Sequence, residues 1–218
     1  MKITSVIILI VTGLQIYAQP TLQLRIGLSG SFAKMGIPAG NSFVRTNVMP
    51  GFTLGMNTSN LFNFTKMEYE LNYAFDGHRY KIHNFINEEK VAAKLVRHNL
   101  DLAVFYNSGN ILISEKKKPK FDFFIKPGLW FDYIIHEAFK FYIDPVIHDP
   151  IPSKSLNWGG VICFELRKRK YKKQLPYNLD LRYYYGFLNI SQQRDTKWFT
   201  RKFEIGITFP IKRVKSKK

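Results

Sequence analysis

The residues whose types could carry out chemistry are concentrated between positions 136 and 155. His136 and Glu137 precede the segment 144–149, which begins and ends with aspartate and contains His148, and Ser153 follows it. A metal site needs three or four converging ligands, and a nucleophilic serine needs a histidine that is oriented by an acid. The spacing of these residues predicts neither arrangement. We therefore expect no catalytic site, no metal and no cofactor.

Two further features could have a chemical role, but neither predicts a site. Cys163 is the single cysteine, which excludes an intramolecular disulfide framework, and we interpret it as a small filler residue. Gly27, Gly30 and Gly36 do not form a phosphate-binding loop in front of a helix.

The formal net charge of +17 is strongly basic. No nucleic-acid-binding motif accompanies it, so we expect no nucleic acid partner.

Most of the remaining charged residues occupy alternate positions in segments of two-residue hydrophobic alternation. In the last segment Phe203 and Ile205 fall on one face, whereas Lys202 and Glu204 fall on the other. Successive strand side chains point to opposite sides, so each segment has an apolar and a polar face. Eight strands are predicted, at residues 22–30, 49–57, 66–77, 98–107, 121–134, 156–167, 177–190 and 198–211. Pro127 predicts a bulge in the fifth strand.

Eight strands with no competing helical period predict a closed antiparallel barrel. Segment 87–97 could form a helical turn or two, but it reads equally well as a loop. Connections 31–48, 78–97 and 135–155 are long, and those that alternate with them are on the whole shorter. Long external loops alternating with short periplasmic turns are typical of outer-membrane barrels, with an up-and-down strand order.

The first residues predict export from the cytoplasm. Met1 and Lys2 precede an apolar run, 3–16, and Ala18 provides a small residue for cleavage. We divide the chain into a signal peptide at 1–18, a barrel at 19–211 and a basic periplasmic tail at 212–218. No later segment is apolar for long enough to form a membrane-spanning helix.

The aromatic residues indicate which barrel face meets lipid. Tyr177 and Phe187 are ten positions apart, as are Phe199 and Phe209. This spacing matches the 9–11 residues of a tilted membrane strand and its two aromatic girdles. We therefore predict an eight-stranded antiparallel up-and-down transmembrane β-barrel in the outer membrane, with lipid on its apolar face.

The polar strand faces would then fill the narrow lumen of an eight-stranded barrel. Charges of both signs could pair there and form a plug for stability rather than a pore. The predicted lumen-facing charges are Arg25, Glu68, Glu70, Asp101, Asp122, Lys126, Glu165, Arg167, Asp180, Arg182, Lys202 and Glu204.

A second group of charges is predicted to form a periplasmic basic rim. Its members are Lys116, Lys117, Lys118, Lys168, Arg169, Lys170, Lys172, Lys173, Lys212 and Arg213. We interpret the rim as a solvated surface attracted to anionic inner-leaflet lipid. The other interpretation is a docking surface for an acidic periplasmic partner.

Several segments resemble the small outer-membrane β-barrel family that includes PorT-type barrels. They are QLRIGLSGSF, PGFTLGM, FIKPGLWFDY, LDLRYYYGFLNIS and FEIGITFPI. The resemblance implies an outer-membrane location and, for PorT-type members, a part in protein translocation by the type IX secretion apparatus. It implies no catalytic residues.

The leading hypothesis is a non-enzymatic envelope or secretion component that contacts outer-membrane lipid and periplasmic or secretion-system proteins. Two alternatives remain open. One is a lipid-modifying barrel enzyme that uses His148 or Ser153. The other is a secreted soluble barrel that binds a small hydrophobic ligand, with its apolar face turned inward.

Overall fold

The fold is described from a computed structural model of the chain. The structure describes residues 21–36, 42–59, 66–84, 90–109, 121–141, 154–168, 177–190 and 197–211. The predicted signal peptide and the predicted basic tail lie outside these ranges. Among the described residues, no helix is long and apolar enough to cross a membrane.

Most of the described residues lie in β-strands. Their bounds are β1 Thr21–Gly36, β2 Ser42–Asn47, β3 Met49–Ser59, β4 Met67–Asn84, β5 Lys90–Tyr106, β6 Phe121–Phe141, β7 Leu156–Lys168, β8 Asn178–Gly186 and β9 Lys197–Pro210.

All strand pairs are antiparallel, and the sheet closes on itself because β4 pairs with β3 on one side and with β5 on the other. β2 and β3 are interrupted only at Val48, and both pair with β4. They form two parts of one barrel strand, with a register shift between Asn47, opposite Arg79, and Phe52, opposite Phe75. The predicted eight-stranded antiparallel barrel is therefore confirmed.

The alternation of side chains decides what lies inside and outside. Leu28 and Ile205 on the outer face are 73% and 63% exposed, whereas Arg25 and Lys202 on the same strands are buried. This arrangement is opposite to that of a soluble barrel with an apolar interior. Closure also removes free sheet edges, since each barrel strand finds hydrogen-bonding neighbours on both sides.

Both strand ends Thr21 and Pro210 lie at one end of the barrel, which we call the terminal end; the opposite end is the distal end. The strands continue further toward the distal end than predicted. β4 reaches Asn84, β5 begins at Lys90 and β6 reaches Phe141. β1 reaches Gly36 and β2 occupies Ser42–Asn47. The predicted long connections at 31–48, 78–97 and 135–155, and the alternative of a helical turn near 87–97, were therefore wrong in these parts.

The predicted bulge at Pro127 was also wrong. The register between β6 and β7 runs without a shift from Phe121 to Tyr133. The ladder between β5 and β6 ends at Gly128, beside the proline. The missing N–H of Pro127 therefore does not interrupt that ladder. The register shift on β6 lies closer to the distal end, where His98 faces His136 and Asn99 faces Ile134.

Candidate functional site

The inner face of the barrel holds a network of buried charges arranged in three layers along its axis. The middle layer is organised by Arg25, whose guanidinium is completely buried. Its Nη2 lies 2.5 Å from Asp180 Oδ1, and its Nη1 donates to Glu204 and, at 3.3 Å, to Thr53 Oγ1. A buried arginine requires such compensation because an unpaired charge in the interior is very costly.

Arg182 completes the middle layer from the other side. It forms a bidentate pair with Glu70, with an Nη2–Oε2 distance of 2.8 Å. Its Nε lies 2.9 Å from Asp180 Oδ1, so Asp180 bridges the two arginines. The strands β4 and β8 are separated by half the circumference of the barrel. The Arg182–Glu70 pair therefore crosses the whole lumen.

The layer at the terminal end is built around Lys126. The lysine Nζ lies 2.6 Å from Glu68 Oε2 and also contacts Glu165. Arg167 donates to Glu165 and lies over the Phe124 ring, with 4.3 Å between the guanidinium carbon and the ring centroid. These groups are contributed by β4, β6 and β7 and cover one side of the opening.

The distal layer contains another pair that crosses the lumen. Lys202 Nζ on β9 lies 2.6 Å from Asp101 Oδ2 on β5, and these strands are also separated by half the circumference. The ammonium group lies over the Tyr184 ring, 4.5 Å from its centroid. Closer to the distal end, Arg97 pairs with Asp76 at 3.1 Å, and Asn99 donates to the same carboxylate.

Apolar side chains fill the interior between and above the charges. One buried cluster lies on β5 to β8: Ala103, Phe105, Trp130, Val161, Cys163 and Tyr184. Another lies toward the distal end: Ala33, Leu95, Ile190 and Trp198. The Trp198 ring meets the His78 ring with 5.5 Å between centroids. The interior is a packed core, as expected for eight strands.

Hydrogen bonding is less complete toward the distal end. The buried His78 has no hydrogen-bond partner for either ring nitrogen within the described part of the chain, and neither amide atom of Asn157 has one. Most ion pairs between described residues lie in the middle and terminal layers. The lumen is crossed in the middle and distal layers, whereas the terminal layer covers one side of its opening.

The structure buries ten of the twelve predicted lumen charges, and the exceptions are Asp122 and Arg167, which are half-buried. Sequence reasoning missed four further buried groups, namely Asp76, His78, Arg97 and Asp132. Asp76 and Asp132 fall within the predicted strands 66–77 and 121–134 but are not among the predicted lumen charges. His78 and Arg97 continue the two-residue period into segments that we had predicted as connections.

The predicted basic rim lies outside the described residues, except Lys168, which is the last residue of β7. The candidate catalytic residues His148 and Ser153 also lie outside them. Cys163 is buried within the first apolar cluster. Across the described ranges, no group of three or more His, Cys, Asp or Glu side chains could hold a metal ion.

Comparison with known proteins relates the chain to bacterial outer-membrane barrels by structure only. OprG from Pseudomonas aeruginosa aligns with a TM-score of 0.51 at 10% identity, over 88% of this chain and 97% of that one. Ail from Yersinia pestis aligns with a TM-score of 0.35 at 13% identity, over 88% and 100%. The NalP translocator domain from Neisseria meningitidis gives 0.32 at 9% identity, over 95% and 94%.

No protein-family profile matches the chain, and no curated protein matches it by sequence. The fold is that of an outer-membrane β-barrel, as the alignment with OprG shows. At this level of identity the likeness extends to the fold alone.

Proposed function

We propose that this protein is a non-enzymatic outer-membrane barrel whose lumen is closed by ion pairs and which serves as an envelope component. The outer face supports the membrane location, because it presents large apolar side chains such as Leu28, Ile205 and Phe203 to the surroundings. In hydrocarbon only helices and closed barrels satisfy their backbone hydrogen bonds. Polar groups inside and apolar groups outside suit a membrane rather than water.

The proposal of a closed lumen is supported by two ionic contacts that cross it, Arg182–Glu70 and Lys202–Asp101. Each contact joins opposite walls, so the side chains occupy the axis along which a solute would have to pass. A conducting barrel needs a continuous aqueous path, and small barrels are filled by their side chains. The protein would therefore act through its surfaces.

The orientation follows from the usual arrangement of such barrels, in which the amino-terminal strand begins in the periplasm. The terminal end then faces the periplasm. The strand ends that flank the predicted basic rim are at this end, so the rim would belong to the periplasmic side. An acidic periplasmic protein is the partner that this charge would attract. A part in type IX secretion is the narrower version of the proposal, and it depends on the PorT-type sequence resemblance.

Two experiments test the proposal. Membrane fractionation with gels of boiled and unboiled samples should place the protein in the outer membrane and show a heat-dependent shift. Recovery from culture fluid without detergent would contradict it. Neutralising Lys212, Arg213 and the other basic residues of the tail should weaken a salt-sensitive pull-down of periplasmic proteins. An unchanged set of captured proteins would exclude the docking role.

A further inference from the structure

Basic side chains form a row on the outer face of the barrel, beyond its apolar band at the distal end. Arg79 on β4 lies directly opposite Lys94 on β5, and Lys81 follows two residues further along β4. Arg79 and Lys81 are exposed, and Lys94 is half-buried. These three residues, which we call the distal basic row, share their strand face with Phe75 and His98, which face each other nearer the apolar band.

The backbone register extends this row across two more strands. Arg45 on β2 lies opposite Lys81, and Lys140 on β6 lies opposite Lys94. Like charges directly opposite each other on neighbouring strands destabilise a sheet. Positive positions are therefore repeated across four strands where the sheet itself gains nothing from them.

The described outward positions of β4 to β6 beyond Phe75 contain no acidic residue that could balance this charge. Among the described residues, the two acids nearby belong to the inner face: Asp76 binds Arg97, and Glu137 lies opposite Arg97 in the register. The distal basic row is thus complementary to an anion that approaches from outside the barrel.

Immediately below the row, two histidines offer further hydrogen-bond donors. Tyr73 Oη and His98 Nδ1 are hydrogen-bonded. If the phenol donates this bond, Nε2 of the imidazole carries a proton and can donate to an external acceptor. The His136 ring lies beside it, with 5.7 Å between centroids. The aromatic end of the apolar band thus leads into a donor-rich zone.

The backbone of the row lies just beyond the headgroup layer of a membrane, within side-chain reach of it. Arg79 is four residues beyond Phe75, which corresponds to about 13 Å along the strand. At the usual strand tilt of roughly 40° this is about 10 Å along the barrel axis. The polar layer on each side of the hydrocarbon is of order 5–8 Å thick. The long basic side chains can therefore reach the level of lipid phosphates.

We propose that the distal basic row binds the phosphate groups of lipopolysaccharide in the outer leaflet, with His98 as an additional donor. This inference rests on the proposed outer-membrane location and orientation. Charge-assisted hydrogen bonds from arginine and lysine to phosphate are among the stronger polar contacts. The row would anchor the β4–β6 side of the barrel to phosphorylated glycolipid.

The test measures binding of lipopolysaccharide to purified full-length protein in a neutral detergent, by native mass spectrometry. Arg79→Gln combined with Lys94→Gln should weaken binding by about tenfold, because two charge-assisted contacts are removed. Lys66→Gln combined with Lys154→Gln removes the same charge from other exposed positions and should leave binding unchanged. Arg79→Lys combined with Lys94→Arg keeps the charge and should retain most of the binding.

Three results would overturn the inference. They are equal binding by the Arg79→Gln/Lys94→Gln variant and the wild type, equal binding of enzymatically dephosphorylated lipopolysaccharide, and full competition by millimolar inorganic phosphate. The last result would mean a site for soluble anions instead of lipid. The heat-dependent gel shift is recorded for each variant. A wild type that shifts but shows no phosphate-dependent binding disproves only this inference, whereas a wild type that does not shift disproves the barrel's membrane role.

Discussion

Arg182 on β8 and Glu70 on β4 form a bidentate ion pair, although their strands lie on opposite walls of the barrel. The pair is fully enclosed, since both side chains are almost inaccessible to solvent. Asp180 and Arg25 extend the contact around the interior, and Glu204 continues it to β9. Four strands that are not all neighbours are thereby held together by one network.

The first prediction concerns the stability that this network provides. Arg182→Ala should lower the free energy of unfolding by about 3–5 kcal/mol, because Glu70 and Asp180 would be left as buried charges without their main partner. Urea titration in detergent or lipid, followed by the heat-dependent gel shift, measures this change. Glu68→Ala should also destabilise the barrel, because it removes a carboxylate from Lys126.

Arg201→Ala is the matched control for Arg182→Ala. Arg201 is on the outer face, where it stacks on Tyr185 at 3.5 Å from the ring centroid. Its removal should cost about 0.5–2 kcal/mol. The Glu70→Ala/Arg182→Ala double variant should lose less free energy of unfolding than the sum of the losses in its single variants. The reason is that neither member of the pair then remains as a buried charge without its partner. Additive losses would show that the two side chains do not act as a pair.

The second prediction concerns permeation. Planar-bilayer recordings of the wild type should show no large stable conductance, because ion pairs and packed aromatic rings occupy the axis. Glu68→Ala and Arg182→Ala should not create a channel either, since Lys202–Asp101 still crosses the lumen. A large, stable conductance from the wild type would contradict the closed interior.

The limits of sequence reasoning are visible on β4 and β5. The barrel and its polar interior could be predicted, because along the apolar band each strand has one apolar face and one charged face. Beyond that band Arg79 and Lys94 point outward, so both faces are polar and the alternation disappears. For this reason His78 and Arg97 were assigned to a connection.

The partners of the charges could not be predicted either. Arg182 and Glu70 are 112 positions apart in sequence. Their meeting depends on strand number, tilt and stagger, which together set the positions that share a level in the lumen. Alternation defines the face of each side chain, but it contains no information about the opposite wall. Trp130 and Tyr184 show the same limit. Alternation places both on the inner face, but it does not predict that their rings meet with 5.7 Å between centroids.

The third prediction concerns Gly206, which lies beside the Arg25 guanidinium. A Cβ at this position would lie 2.7 Å from Arg25 Cζ, closer than real contacts allow. Arg25 cannot move away freely, because Asp180 and Glu204 hold it. Gly206→Ala should therefore destabilise the barrel by about 1–3 kcal/mol, as measured by urea titration.

Gly160→Ala is the comparison for Gly206→Ala, since it adds the same methyl group on the outer face. Its Cβ would meet only the Phe187 ring, at 3.2 Å for the nearest atom, and that ring lies at an exposed position. We expect a loss of less than about 1 kcal/mol, because the ring can move outward. Equal losses at the two positions would argue against a tightly packed charge network around Arg25.

The fourth prediction uses Cys163 as a reporter of access to the lumen. The thiol is buried on the inner face of β7, opposite Arg182 of β8 in the backbone register. Small charged thiol reagents should not modify it in the folded barrel, because the Lys126 layer lies toward the terminal end and the Lys202–Asp101 pair toward the distal end. The thiol should react fully after heating in detergent.

Mass spectrometry of labelled protein provides the measurement, and an Ile205→Cys variant provides the positive control, since that position is 63% exposed on the outer face. In detergent the introduced thiol should react readily while Cys163 stays unmodified in the same molecule. Rapid labelling of Cys163 in folded protein would mean that reagents enter the interior. The cross-lumen pairs would then be open often enough for solutes to pass, and a transport role would become the better explanation of the buried charges.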